Sequence, residues 1–485
     1  MTTDLAALKA TFKGDIVVPT DAKYDQAITR WAKNTAKKAA VVAFVKDAED
    51  VSLAIQYAKA ANLTIAIKCG GHNVSGASSI EGGLVIDLSR YLNGVTVDAE
   101  KNLGYVGGGA LWETVDRATI AQGLATVAGT VNDTGVGGLT LGGGYGWLSG
   151  AYGLVLDNLA TVVTADGSIL TANEKENADL FWGIRGAGSN FGVVTELVLQ
   201  LHPQRRTVFC GIAFYSPDQL EALLDVTQAW WTQRTSPKEG IFQAFTRGPD
   251  HQPTILMVFF YNGSEAEGRQ NFKAFFDLSQ DSPEPFGFAQ LKLTKRLSFL
   301  DPVVDLTKEQ PYEALNTLLN EANVPGQNAY MKGCFAPLEF PRELLPKVFA
   351  RTMELSAPTQ HKFTLLFEYF RLDKANSVPD DATALRRHLT PNVLCLIRFQ
   401  EDSEAAAKYC RDAAYELLGL VTGQGADNLG YGNYNPESGE VAVAGSGSVS
   451  KAEEHFGANY KRLQEIKKKY DPELLFRKWF VITPA

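Results

Sequence analysis

Hydrophobic positions change their spacing along this chain, and the change divides it. Over 47–58 the apolar residues Val51, Ala54, Ile55 and Ala58 recur at the period of an amphipathic helix, with Asp47 placed to cap it. The run Leu63-Thr64-Ile65-Ala66-Ile67 follows as a strand, completing a β-α-β opening. Residues 84–88 and 158–164 read as further strands, the second closed by the tight turn Ala165-Asp166-Gly167-Ser168. After His202-Pro203 the texture changes. Glycine thins, and longer amphipathic helices alternate with aromatic strands. Ser216-Pro217 opens a helix through Leu220, Leu223, Leu224 and Trp230. Residues 253–261, 362–370 and 392–399 read as strands of a second sheet. Past 420 glycine and tyrosine return, and 453–470 reads as one helix whose Lys467-Lys468-Lys469 run is a solvated face near its C-terminus. The natural divisions are 1–205, 206–420 and 421–485.

Composition narrows the class. A chain of 485 residues exceeds one ordinary core, so more than one domain is expected. Its net charge of −9 argues against a nucleic-acid or anionic-membrane partner, which would favour a basic face. The apolar run 255–261, among the longest, is a buried strand and far short of a membrane span. Cys69, Cys210, Cys334, Cys395 and Cys410 are scattered, with no metal-ligand spacing, so neither a disulfide framework nor a metal site is expected. The start, Met1-Thr2-Thr3-Asp4-Leu5, has no basic stretch leading into an apolar one. A cytoplasmic chain is therefore expected, or a secreted one if a leader was removed.

Two glycine runs carry the chemistry. In Cys69-Gly70-Gly71-His72-Asn73-Val74-Ser75-Gly76 a strand stops at two glycines and presents an imidazole, with backbone N–H groups free to form an anion nest. The second run, 129–147, holds eight glycines in nineteen positions, interleaved with Val136, Leu139, Leu141 and Trp147. A flexible linker would be polar between its glycines. Ordered glycines among apolar residues indicate a main chain pressed against a large flat or phosphorylated ligand. Neither a G-x-G-x-x-G fingerprint opening a helix nor a phosphate loop accounts for the run.

These runs resemble the flavin-binding segments of the vanillyl-alcohol-oxidase superfamily, in its berberine-bridge-enzyme-like branch. Phe181-Trp182-Gly183-Ile184-Arg185-Gly186 through Thr195, Tyr431-Gly432-Asn433-Tyr434 and the tail from Tyr460 to Glu473 extend the likeness. The resemblance implies an α+β fold: a two-part FAD-binding domain (1–205 and 421–485) of the PCMH type, with an inserted substrate domain (206–420) built on an antiparallel sheet flanked by helices. It implies FAD joined through its 8α-methyl to His72. The cofactor would lie along Cys69, Gly70, Gly71, Asn73, Val74, Ser75 and Gly76. It would also touch Thr130, Thr134, Gly135, Gly137, Gly138, Leu139, Gly142, Gly143, Gly144, Tyr145, Gly146, Trp147, Asn158, Gly192, Val194 and Asn459. Many members tether FAD a second time through a cysteine. Here that place is Val131, so the chain resembles the singly linked members. Cys69 is a rival attachment point or, better, a buried inert thiol.

A flavin of this branch takes a hydride from a carbon bearing OH or NH, and a base must take the heteroatom's proton. Tyr431 is the leading candidate as base or relay, with Asn433 fixing flavin or substrate. Glu368 is the second, because a carboxylate in the apolar run Phe363 to Phe370 is costly unless paired or functional. Pairing with Arg398 is its bland alternative. Tyr145 and Tyr152 are weaker candidates for the flavin face. His202, His251, His361, His388 and His455 read as structural. Thr134, close to valine in shape, stands where the branch controls oxygen access to the flavin. It favours an oxidase releasing hydrogen peroxide over a dehydrogenase with another acceptor. The leading expectation is oxidation of an alcohol carbon of a sugar, oligosaccharide or other small alcohol, with O2 as the second substrate. The alternative is C–N oxidation or oxidative cyclisation of an alkaloid- or polyketide-like molecule. An aromatic pocket from Phe259, Phe260, Phe363, Phe367, Tyr369 and Phe370 would suit it. The same residues also read as plain sheet core.

Overall fold

The computed structural model describes residues 4–165, 167–233, 236–248, 250–278, 304–357, 361–423, 430–438 and 450–485. The chain is an α+β protein with three principal sheets among those residues. Asp47 caps the helix Ala48–Ala60, its side chain accepting from Asp50 N. That helix links Val41–Phe44 to Ile65–Lys68, and both strands pair in parallel with Leu84–Asp87, which lies between them. Val51, Ala54, Ile55 and Ala58 are wholly buried on its inner face. A second sheet, antiparallel throughout, runs in the order Val95–Asp98, Leu103–Gly107, Val193–Gln200, Leu159–Ala165, Ile169–Ala172. The turn after Ala165 includes Asp166, which lies outside the described residues.

The largest sheet has eight antiparallel strands, and Lys362–Phe370 lies in its interior between Glu239–Arg247 and Asn392–Phe399. Its two faces differ in purpose. Phe245, Phe259, Phe363, Leu365, Phe367 and Tyr369 turn to the helices Leu220–Gln233, Leu345–Ser356 and Glu404–Thr422 and form one apolar core with them. The opposite face, carrying Phe242, Val258, Phe260 and Phe370, packs on Trp147 and the glycine-rich segment in a separate core. Four of the six aromatics expected around a substrate are thus sheet core on the helix side. Phe260 and Phe370 abut Trp147, with ring centroids 5.4 and 5.3 Å away.

The tail returns to the N-terminal part, where Phe456, Leu463, Trp479 and Ile482 share a core with Leu180, Phe181 and Phe191. Here two expectations need correcting. The helix expected over 453–470 is split into Lys451–Phe456 and Tyr460–Tyr470, because Gly457 takes φ +53° and ends the first piece. The lysine run is not uniformly solvated. Lys467 is fully buried, its ammonium paired with Asp471 at 2.6 Å and donating to the carbonyls of Asn190 and Phe476. A buried ammonium persists only when paired and hydrogen-bonded in this way. All five cysteines are free thiols. No helix among the described residues is long and apolar enough to cross a membrane.

Candidate active site

Glycines bring two main chains together. A Cβ on Gly135 would lie 2.4 Å from Gly70 N and 2.6 Å from Cys69 Sγ, and one on Gly70 would lie 2.5 Å from Gly135 N. One on Gly137 would meet Gly108 O at 2.7 Å. Only residues without side chains allow this contact. It also explains a short helix, Val136–Leu141, inside a run where none was expected. The helix presents backbone rather than side chains to its neighbours. Gly138, by contrast, is exposed, with nothing within 4 Å of where its Cβ would be. Ser78 Oγ, Ser79 Oγ, Trp112 Nε1 and Asn132 Oδ1, in and beside these runs, are buried without hydrogen-bond partners. A bare-backbone cradle flanked by unsatisfied polar atoms fits a cofactor rich in polar groups, as FAD is.

His72 projects from the first run and stacks on Trp31, ring centroids 5.3 Å apart. Its Nε2 lies 3.3 Å from Asp133 Oδ1. Arg398 covers the other part of this group, its guanidinium 5.5 Å from the Trp31 ring, and donates to Asn323 Oδ1. It therefore does not pair with Glu368. Cys69 is packed beneath the glycine helix, its thiol donating to Ala110 O at 3.6 Å, and burial pushes its pKa up. Asn73 Oδ1 accepts from Ser75 N, Ser75 Oγ and Ala77 N, holding the His72 loop.

Several residues expected at the cofactor also make contacts within the protein. Trp147 is a core residue wedged against Phe242, Phe260 and Phe370. Asn158 donates to the carbonyls of Tyr152 and Leu154 and holds His202, which stacks on Tyr152. Asn459 donates to the carbonyls of Asp380, Thr383 and Ala384, fastening the 371–391 loop. Val194 is a buried strand residue.

At the far end of the glycine run a polar cluster forms. Glu368 is 2% exposed. Its Oε2 accepts from the Tyr145 hydroxyl and from Asn392 Nδ2 (3.1 Å); its Oε1 accepts from the Tyr434 hydroxyl at 3.3 Å. Burial outweighs these donors and pushes the carboxyl up to about 7. Tyr145 thus belongs to this cluster, and Asn392 and Tyr434 join it unforeseen. Tyr431 differs in kind. Its hydroxyl oxygen accepts from Gly144 N (3.0 Å) and from Asn433 Nδ2 (2.7 Å), and the same amide donates to Leu139 O. With both lone pairs engaged and burial holding its proton on, Tyr431 can donate a hydrogen bond but is poorly set to take a proton. Among the described residues no group of side chains could hold a metal ion.

Around Glu368 the sheet face is apolar. Its cross-strand neighbours are Phe242 and Asn392, and the next row reads Ala244, Leu366, Leu394. Beyond these come Thr364 and Leu396, then Met331 on the adjoining strand. Thr364, Leu366, Leu396 and Met331 are only half-buried, which leaves this strip of the face partly open, and its Leu396–Met331 end packs on the cluster containing Trp31.

Sequence comparison now has a geometry to meet. Residues 39–173 match the model of an FAD binding domain, and 431–478 match that described as berberine and berberine like. The FAD-linked oxidoreductase pgmH of Aspergillus terreus is 32% identical over 504 residues, spanning 99% of this chain and 96% of its own. The chain is a berberine-bridge-like FAD-linked oxidoreductase. Another relative of this family, the (R)-6-hydroxynicotine oxidase of Paenarthrobacter nicotinovorans, is 35% identical over 217 residues, 44% of this chain and 47% of that one. In fold, the chain is similar to the glucooligosaccharide oxidase of Acremonium strictum, with a TM-score of 0.79, 22% identity and coverage of 99% and 98% of the two chains.

Proposed function

We propose that this flavoenzyme oxidises a small, flat, largely apolar molecule at a carbon bearing a hydroxyl or amine, with Glu368 as the proton acceptor. The observation that carries the reading is one buried carboxyl, pushed up to about 7, on a sheet face where Phe242, Ala244, Leu366, Leu394, Leu396 and Met331 outnumber the polar Asn392 and Thr364. A base works best with a pKa near the working pH, and an apolar face binds apolar surface in preference to a hydroxylated sugar. Substrates such as benzylic alcohols and cyclic amines therefore rank above oligosaccharides. The name of the (R)-6-hydroxynicotine oxidase, whose likeness covers less than half of each chain, agrees with that order.

Bound FAD supplies the hydride acceptor. The protein's residues do the rest. Glu368 Oε1, which among the described residues accepts only the long bond from Tyr434, keeps a lone pair for the substrate's O–H or N–H. Tyr431, oriented by Gly144 and Asn433, donates to the substrate heteroatom and fixes its direction. The 8α-methyl edge would reach His72, with Trp31 and Asp133 holding the imidazole. The glucooligosaccharide oxidase carries a 6-S-cysteinyl, 8α-N1-histidyl FAD. With Val131 at the second attachment place, this chain would keep the histidyl link alone. Thr134 beside the glycine cradle favours O2 as acceptor and hydrogen peroxide as product. The two-part flavin domain, 1–205 and 421–485, around a substrate domain at 206–420 is part of the same reading.

Oxygen uptake against a panel of benzylic alcohols, cyclic amines and oligosaccharides tests the proposal. Turnover of the first two classes supports it. Turnover of oligosaccharides alone would reassign the substrate, and reduction by substrate with no oxygen uptake would make the enzyme a dehydrogenase.

A further inference from the structure

Glu368 raises a question that its role as base does not answer. A proton collected by a group 2% exposed must leave before the next turnover. The strip beside Thr364 and Leu366 would be covered by substrate and flavin. Further along the same strand, past Glu368 toward Phe370 and Leu372, lies a cavity of about 100 Å³. Glu368, Tyr145 and Tyr431 line it, as do Arg386 and His388, both exposed, from the 371–391 loop. It thus connects the buried carboxyl with the surface.

Four buried atoms on residues lining this cavity have no hydrogen-bond partner among the described residues: His455 Nδ1, His455 Nε2, Asn392 Oδ1 and Arg387 Nε. Buried polar atoms are nearly always bonded, to protein or to ordered water. A water needs about 10–15 Å³ of such space and two or more polar partners, so the cavity has room for several. The charged groups are disposed to carry a proton past rather than trap it. Burial lowers His455 to about 3, so the imidazole stays neutral, one nitrogen donating and the other accepting. Arg387 is committed to Asp157 through two bonds of 3.1 and 2.7 Å. Tyr145, Tyr431 and Tyr434 all keep their protons, raised above the ordinary tyrosine value. Among the buried groups of this enclosure Glu368 is the one raised toward neutrality, and His388 stands exposed at the mouth beside Asp380.

We propose that this cavity, which reaches from Glu368 to the exposed Arg386 and His388, is a water-filled exit for the proton gathered at Glu368. The inference rests on the reading of Glu368 as base. The substrate heteroatom gives its proton to the carboxylate as the hydride leaves. The carboxylic acid then gives that proton to cavity water, which delivers it to solvent at the Arg386–His388 mouth. The carboxylate is restored, and no other group is consumed.

Infrared spectroscopy of the holoenzyme tests this without turnover. The carboxylic-acid C=O band of Glu368 is identified by its loss in Glu368→Gln, and its shift is timed after mixing into D2O. Leu389→Trp fills the cavity from one wall, and Leu372→Trp does so from another should the first fail to fold. Either should slow the deuterium shift at least tenfold. Unchanged exchange in a plugged variant whose crystal structure shows the cavity filled would overturn the conduit alone. Absence of the band at every pH between 4 and 8 would instead overturn Glu368 as base, and the conduit with it.

Discussion

Glu368→Gln should separate what this carboxyl does for catalysis from what it costs the fold. The ordinary carboxyl value of 4.5 and the buried value of about 7 differ by about 2.5, each tenfold being worth about 1.4 kcal/mol. Ionising Glu368 therefore costs about 3 kcal/mol more in the folded chain than in the unfolded one. The sign follows from proton counting. Between pH 4.5 and 7 the folded chain holds the proton that the unfolded chain has lost, so stability falls as pH rises through that window and levels off above it. Tyr145, Tyr431 and Tyr434 titrate well above the window and His455 below it, so none of them masks the effect. The assay is urea unfolding of wild type and Glu368→Gln in parallel from pH 4 to 8. Relative to the variant, wild type should lose about 3 kcal/mol across the range, and the variant should be the more stable above pH 7. At pH 7.5 the same substitution should slow flavin reduction by about 10²–10⁴-fold, the usual worth of a general base. Wild-type reduction should rise through a limb near pH 7 that the variant lacks. Stability curves that stay parallel, or a limb that survives in Glu368→Gln, would refute the reasoning.

Tyr431→Phe strands Gly144 N–H and the Asn433 amide without their acceptor, a loss of about 1–3 kcal/mol, and should slow reduction by about 5–150-fold while leaving the limb near pH 7 in place. A loss as large as that of Glu368→Gln, with the limb abolished, would return the role of base to Tyr431. Gly135→Ala drives a methyl into Gly70 N and Cys69 Sγ, so the purified protein should carry less than a tenth of its FAD by absorbance; full occupancy would contradict the close-packed cradle. Trp147→Ala should cost about 3–5 kcal/mol in urea unfolding, as deletion of a buried indole does, whereas an unchanged unfolding curve would contradict its place in the core.

The sequence carried some of this plainly and hid the rest for physical reasons. Strands at 253–261, 362–370 and 392–399 were legible because each apolar run has strand length and ends at turn residues, and their bounds agree with the sheet. Alternation along 362–370 put Glu368 on one face, and the sheet keeps it there. Which face met helices and which met the glycine segment is a matter of topology, so Phe363, Phe367 and Tyr369 were legible as buried but not as belonging to the far side. The helix at Val136–Leu141 was illegible because two of its six residues are glycine, each costing about 1 kcal/mol against alanine; close backbone contacts stabilise it instead. Partners distant in sequence left no local signal. Trp31 and Asp133 flank His72 from positions 41 residues before and 61 after it, and Asn392 reaches Glu368 from the neighbouring strand. His455 stands in an ordinary amphipathic helix, and only its unsatisfied nitrogens set it apart.

The most direct test is an anaerobic crystal soak of the FAD-loaded enzyme with a benzylic alcohol or cyclic amine that it reduces slowly. The substrate's ring should lie against Leu366 and Leu396, with its heteroatom within hydrogen-bond distance of Glu368 Oε1. The Tyr431 hydroxyl should point at that same heteroatom. A heteroatom facing any other group, with Glu368 still enclosed by Tyr145, Asn392 and Tyr434 and out of reach, would contradict the reading of Glu368 as base.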